Sequence, residues 1–231
     1  MDCQRETQAW MIGVVHRDPD GVARLLPLLR RLSPALITLE VSPYSVEYRQ
    51  RHSEYLLRRL DEIVPPDQRD HGEMQSVREM LQMPYELRAA ELYAAESGAT
   101  VELVGDSDES RELLASVEFE LLTPDNLAAL LARPDFSPKE SVRRLYERCR
   151  RLLASEPIPP ALLGAGADWL SRAEAREAGV ERRIRSALAS RPHQCWAHIG
   201  GVLHLLRIRG ARLLWERFSD LHVRRAFLDE L

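Results

Sequence analysis

The sequence predicts an α/β fold: a mainly parallel sheet core flanked by helices, with a helical insertion. Two observations carry that expectation. Short strand-like runs lie at 9–15, 35–39, 100–104 and 193–199, and the first is rich in β-branched residues and unbroken by charge, as suits a strand covered on both faces. Between them lie stretches whose apolar residues recur at three- and four-residue spacing, as on one face of a helix. A chain of 231 residues is long enough to bury a sizeable core, and a single domain spanning 1–231 is expected.

The first run, Ala9 to Val15, is followed at once by His16. Asp18-Pro19-Asp20 then gives a turn and helix start, and Val22, Leu25, Leu26, Leu29 and Leu32 continue at helical spacing, with Pro27 expected to kink that helix or delay its start. Ala35 to Leu39 forms the second strand, ended by Glu40, so that strand, helix and strand make a βαβ unit with parallel strands. Residues 44–97 read as helices interrupted at Val64-Pro65-Pro66-Asp67, and Thr100 to Val104 forms a third strand leading to Asp106.

Residues 108–170 read as a helical insertion or lid. Thr123-Pro124 and Ser137-Pro138-Lys139-Glu140 each place a capping hydroxyl before a proline at the first helical position, and the second adds a capping-box glutamate. Pro157, Pro159, Pro160, Gly164 and Gly166 mark a hinge before a helix from about Ser171 to Ala189. His193 to Ile199 is the fourth strand. An edge strand is expected over 211–215 and a closing helix over 220–231.

The formal net charge of −4 removes the global electrostatic reason to expect a nucleic acid or an acidic membrane as partner. Of 32 basic residues only Lys139 is a lysine, which carries no functional weight here. Cys3, Cys149 and Cys195 are too few and too far apart for a disulfide framework, which fits a reducing cytoplasm. The N-terminal residues lack the basic start and apolar stretch of an export signal, and no run approaches the roughly 20 apolar residues of a membrane helix. A cytoplasmic protein with no membrane partner is expected.

Each strand candidate is followed within a few residues by an ionisable side chain: His16, Glu40, Asp106 and His204. Parallel strands bring their C-terminal ends to one sheet edge, where ligands bind, so these four groups have a route to a common site. Two imidazoles with one or two carboxylates suit a divalent metal such as zinc, manganese, iron or cobalt, and they equally suit metal-free acid–base work. Bland roles compete with both. A histidine after a strand is commonly a solvated loop residue, and Asp106 could simply cap the helix that starts near Asp108. Two tetrapeptides, Gly13-Val14-Val15-His16 and Gly201-Val202-Leu203-His204, repeat the GxxH pattern and strengthen the case for a site.

Those tetrapeptides, with the strand-terminal Glu40 about two dozen residues after the first, resemble the TraB, GumN and Tiki superfamily, whose more distant relatives are erythromycin-esterase-like and ChaN-like proteins. The opening from Gly13 to Arg49, the alanine-rich helix around Tyr85-Glu86-Leu87-Arg88-Ala89-Ala90 leading to Asp106, and the Glu181-Arg182 pair before the second GxxH are similar to the family in the same order. Two departures stand out. Arg17-Asp18-Pro19 replaces the small hydroxyl residue usual after the first histidine, and Ser107 replaces an arginine after the aspartate.

The resemblance implies a hydrolase acting on a peptide or ester bond, with His16, Glu40, Asp106 and His204 as catalytic groups. It also implies a divalent metal held by His16, Glu40 and His204, and a small-molecule or peptide substrate met by Tyr44, Arg49 and Arg182. An alternative it leaves open is non-catalytic binding of haem or a peptide, for which Met74, Met80, Met83, Tyr85 and Tyr93 offer a soft apolar surface.

Overall fold

Five parallel strands in the order β3-β2-β4-β1-β5 form the sheet on which the rest of the chain is hung. The structure is a computed structural model and describes residues 9–163, 166–191 and 195–230. The strands are β1 (Ala9–Val14), β2 (Leu36–Leu39), β3 (Thr100–Leu103), β4 (Trp196–Gly201) and β5 (Arg224–Phe227). The helices are α1 (Gly21–Leu32), α2 (Pro43–Ile63), α3 (Gly72–Leu81), α4 (Tyr85–Ser97), α5 (Ser107–Ala115), α6 (Pro124–Leu131), α7 (Pro138–Leu153), α8 (Ala167–Ala189) and α9 (Leu214–Arg217).

Strands β1, β2 and β4 are almost wholly buried, as unbroken apolar runs between helical layers must be. Helices start where side-chain acceptors meet free N–H groups: Ser42 caps α2, Thr123 caps α6 and Ser137 caps α7, each followed by proline at the first helical position. Glu140 does not close the box with Ser137; it pairs with Arg143 and Arg144. Pro27 lies inside α1, which begins upstream of it at Gly21 without delay.

Strand β4 lies between β1 and β2, with Gly13 opposite Gly200 on one side and Leu39 opposite Ile199 on the other. This arrangement makes β2, β4 and β1 the three central strands, so their C-terminal ends adjoin. Helices α1, α4, α7 and α8 pack the main core, whereas α2, α3 and α6 enclose a second cluster around Leu56, Leu60, Met74 and Leu127. Among the described residues, 108–163 hold helices and no named strand; α7 inserts Val142, Tyr146 and Cys149 into the main core.

Three expectations change at the C-terminal end. Strand β4 starts at Trp196 and runs through Gly201; His193 and Gln194 lie outside the described residues, as do Gly164 of the expected hinge, Cys3 and Leu231. The segment expected as an edge strand carries α9, because Leu214 and Phe218 are buried at helical spacing. The expected closing helix contains β5, which pairs with β1 alone. Its arginines disguise it: Arg224 lies over the Trp10 ring, and Arg225 lies over Trp215 and bonds Glu156, a charged design suited to a sheet edge. No helix among the described residues is long and apolar enough to cross a membrane.

Candidate active site

At the C-terminal edge of the central strands, the segment after β1 is clamped from two sides. The Val15 N–H donates to the Tyr146 hydroxyl of α7 at 3.0 Å, and the Tyr85 hydroxyl of α4 donates to the Val15 carbonyl at 3.1 Å. This fixes the direction in which His16 leaves the sheet. The His16 ring then donates from Nδ1 to Glu86 Oε1 at 2.7 Å, and Glu86, in the first turn of α4, is buried where the helix dipole favours a carboxylate. His16 itself keeps 56% of its side chain exposed, on the cavity side.

His204 stands in a turn of helix directly after β4 and is buried. Its Nδ1 donates to Glu177 Oε2 of α8 at 2.7 Å, and its Nε2 lies 2.5 Å from Glu40 Oε2. The same Glu40 oxygen accepts from the Gly201 N–H at 3.1 Å. A Cβ placed on Gly201 would lie 3.1 Å from His16 Nε2 and 3.7 Å from His204 Nε2, so both imidazoles turn Nε2 to the same side of this glycine. A Cβ on Gly200 would meet His198 Nε2 at 2.8 Å and Glu40 Oε2 at 3.1 Å; only a residue without a side chain leaves room for these groups.

Burial disfavours charge on His204, yet the Glu40 charge and the bonds from Glu177 and Glu40 prevail and raise its pKa. Burial likewise works against ionised Glu40, but the charge and bond of His204 hold its carboxyl well below the usual range. His16 follows the same pattern: desolvation lowers its pKa, and the Glu86 bond and charge raise it above the ordinary value. His198 differs. Its Nδ1 is bonded to Thr38 Oγ1 at 3.0 Å, its Nε2 has no partner among the described residues, and burial pushes it down to about 3, so it is neutral.

His16, Glu40 and His204 share the lining of one open cavity of about 790 Å³. Asp106 does not line it. Asp106 follows the edge strand β3, three strand spacings or roughly 14 Å across the sheet from β1, and its carboxylate caps α5 by accepting from Asp108 N and Glu109 N and pairs with Arg183. Tyr44 lies against Tyr48 and under Arg111. Arg49 donates to the Met80 and Ser45 carbonyls, tying α2 to the end of α3. Arg182 is exposed on α8. None of these three lines the cavity. Met74, Tyr85 and Tyr93 are buried in packing and present no surface.

Sequence reasoning missed Glu86, Glu177, His198, Tyr85 and Tyr146 as parts of the site. Glu86 and Glu177 have a partial signal, since each is a carboxylate inside a helix that must bury one face.

The chemistry of the donor set fits a divalent metal. In metal sites a ligating imidazole commonly donates its other N–H to a carboxylate, which fixes the tautomer and aims the free nitrogen; His16 with Glu86 and His204 with Glu177 both have that form. As arranged, no three acidic, histidine or cysteine side chains among the described residues are spaced to hold an ion, and Nε2 of His204 lies against Glu40.

Fold and site together define an all-parallel α/β protein with a histidine–carboxylate centre at the carboxyl edge of its sheet. No family model matches the chain, and comparison with curated proteins and with solved structures finds no similar one.

Proposed function

We propose that the protein is a metal-dependent hydrolase that uses water to break the acyl C–N or C–O bond of a peptide or ester at His16, Glu40 and His204. The observation that supports this reading is the pair of clamped imidazoles, Nδ1 of each tied to a buried glutamate and Nε2 of each turned to one side of Gly201 beside Glu40.

His16 Nε2, His204 Nε2 and Glu40 are the groups that would hold a divalent ion, and such an ion supplies Lewis acidity for a carbonyl and for water. Glu86 and Glu177 hold the Nδ1 protons and keep the rings in register. Glu40, fixed at Oε2 by the Gly201 N–H, is the carboxylate beside His204; it takes up the proton lost by water and passes it to the departing amine or alcohol.

The test is metal analysis of the purified protein with thermal melts in zinc, manganese and cobalt, alongside turnover of a peptide and ester panel before and after chelation. At free metal 100-fold above Kd, about 2.7 kcal/mol of stabilisation is expected, absent from a His16→Ala, His204→Ala double variant. No shift with any of the three ions, or an equal shift in that variant, removes the metal; no turnover of any panel member removes the hydrolase.

A further inference from the structure

We propose that this cavity selects substrates in which an apolar side chain lies next to a free carboxylate, such as an acylated amino acid or the C-terminal residue of a peptide. The proposal names the substrate class and rests on the hydrolase reading for the bond that is broken. Its carrier is the distribution of charge around the cavity, apart from the histidine–carboxylate centre.

Three arginines line the wall, Arg17, Arg148 and Arg176, and all three are exposed to it. Arg17 makes no hydrogen bond or ion pair among the described residues, and its φ of 63° places a non-glycine residue in the left-handed region, turning the chain at the cavity mouth directly after His16. Arg148 reaches only the Leu162 carbonyl, at 3.5 Å. Arg176 stands 3.7 Å from Glu177 Oε1, while Glu177 gives Oε2 to His204. The wall's carboxylates are already matched: Glu73 pairs with Arg133, and Glu40 with His204. Arg17 and Arg148 therefore bring positive charge to the wall that no carboxylate pairs, whereas Arg176 faces Glu177.

Arg17 follows His16 directly in the chain, and all three arginines line the same cavity as His16, Glu40 and His204. The same cavity is also lined by apolar side chains, Val142, Leu145 and Leu152 of α7 with Leu163 and Trp169. Guanidinium groups recognise carboxylates through paired, charge-assisted bonds. An apolar wall beside them favours an anion that carries a hydrocarbon group over a bare inorganic ion.

The experiment measures binding by titration calorimetry on the full chain with three probes: N-acetyl-L-leucine, N-acetyl-L-leucinamide and inorganic phosphate. The acid should bind tenfold or more tightly than the amide, on the order of one charge-assisted bond, and more tightly than phosphate. Arg17→Ala with Arg148→Ala should remove the preference for the acid while leaving amide binding unchanged, and melting curves should show an intact fold because both side chains are exposed. Equal affinity for acid and amide, a preference that survives the double variant, or phosphate binding as tightly as the acid overturns the proposal. Binding in the expected pattern supports it even where turnover is absent, an outcome that would count against the hydrolase alone.

Discussion

Glu86 and His16, separated by 70 residues in sequence, meet at 2.7 Å, and the carboxylate is buried while the imidazole it holds faces the cavity. A buried acid holding an exposed base is an expensive arrangement for folding and a useful one for aiming a nitrogen. Glu86→Gln keeps the size of the side chain and removes its charge. It should lower metal affinity or turnover by about 10–100-fold, with a melting temperature close to the parent's. A variant with unchanged turnover and metal affinity would reduce Glu86 to a packing residue.

Gly200 and Gly13 stand opposite each other on β4 and β1, and alanine at each tests a different thing. At Gly13 the new methyl meets Leu205 Cδ1 at 2.7 Å and Phe227 Cδ1 at 2.9 Å, which are apolar core atoms. At Gly200 it meets His198 Nε2 and Glu40 Oε2. Both substitutions should cost about 1–3 kcal/mol in urea unfolding through overpacking, but only Gly200→Ala should also depress the turnover of the molecules that remain folded. Equal activity per folded molecule in the two variants would show that Glu40 tolerates displacement.

Asp106 accepts from two backbone N–H groups at the start of α5, the work of a capping residue. Asp106→Ala should destabilise the protein by about 0.5–2 kcal/mol and leave turnover within twofold of the parent. A loss of activity of a hundredfold or more at unchanged stability would restore the catalytic part expected from the end of β3.

The metal-free centre sets a pH dependence whose sign follows from two opposed shifts. The His204 pKa is raised, to about 10, so its bonded imidazolium stabilises the fold fully below the unfolded value near 6.5 and that stabilisation is lost as pH rises through the folded value. Glu40 is shifted down, so its contribution is present above about 4.3 and is lost as pH falls. Burial also pushes the Cys149 thiol up to about 11 and raises Tyr85 and Tyr146, adding to destabilisation in alkali. Glu177→Gln separates these terms, because it lowers the His204 pKa and leaves the thiol and phenols alone. Urea midpoints at pH 6, 8 and 10 should fall earlier in the variant than in the parent; parallel curves would show that the His204 proton does not contribute.

The sequence by itself determined what short-range physics controls. Apolar runs bounded by turn residues specified the first four strands, helical spacing specified the segments between them, and hydroxyl-proline pairs specified the starts of α6 and α7, because each depends on residues within a turn or two of one another. His16, Glu40 and His204 were legible for the same reason: each closely follows an apolar strand, and the ends of parallel strands lie along one edge. Strand order was not legible. The tertiary structure placed β4 between β1 and β2, which brings His204 between Glu40 and His16 and leaves Asp106 beyond the edge strand. The carboxylates that hold the imidazoles were also decided there, since Glu86 and Glu177 reach their partners across 70 and 27 residues through helix packing. So was β5, whose two arginines hide a strand that exists only because β1 offers it an edge. Local periodicity is written in neighbouring residues, whereas these pairings depend on which helix covers which face, and that is settled only when the whole chain buries its core.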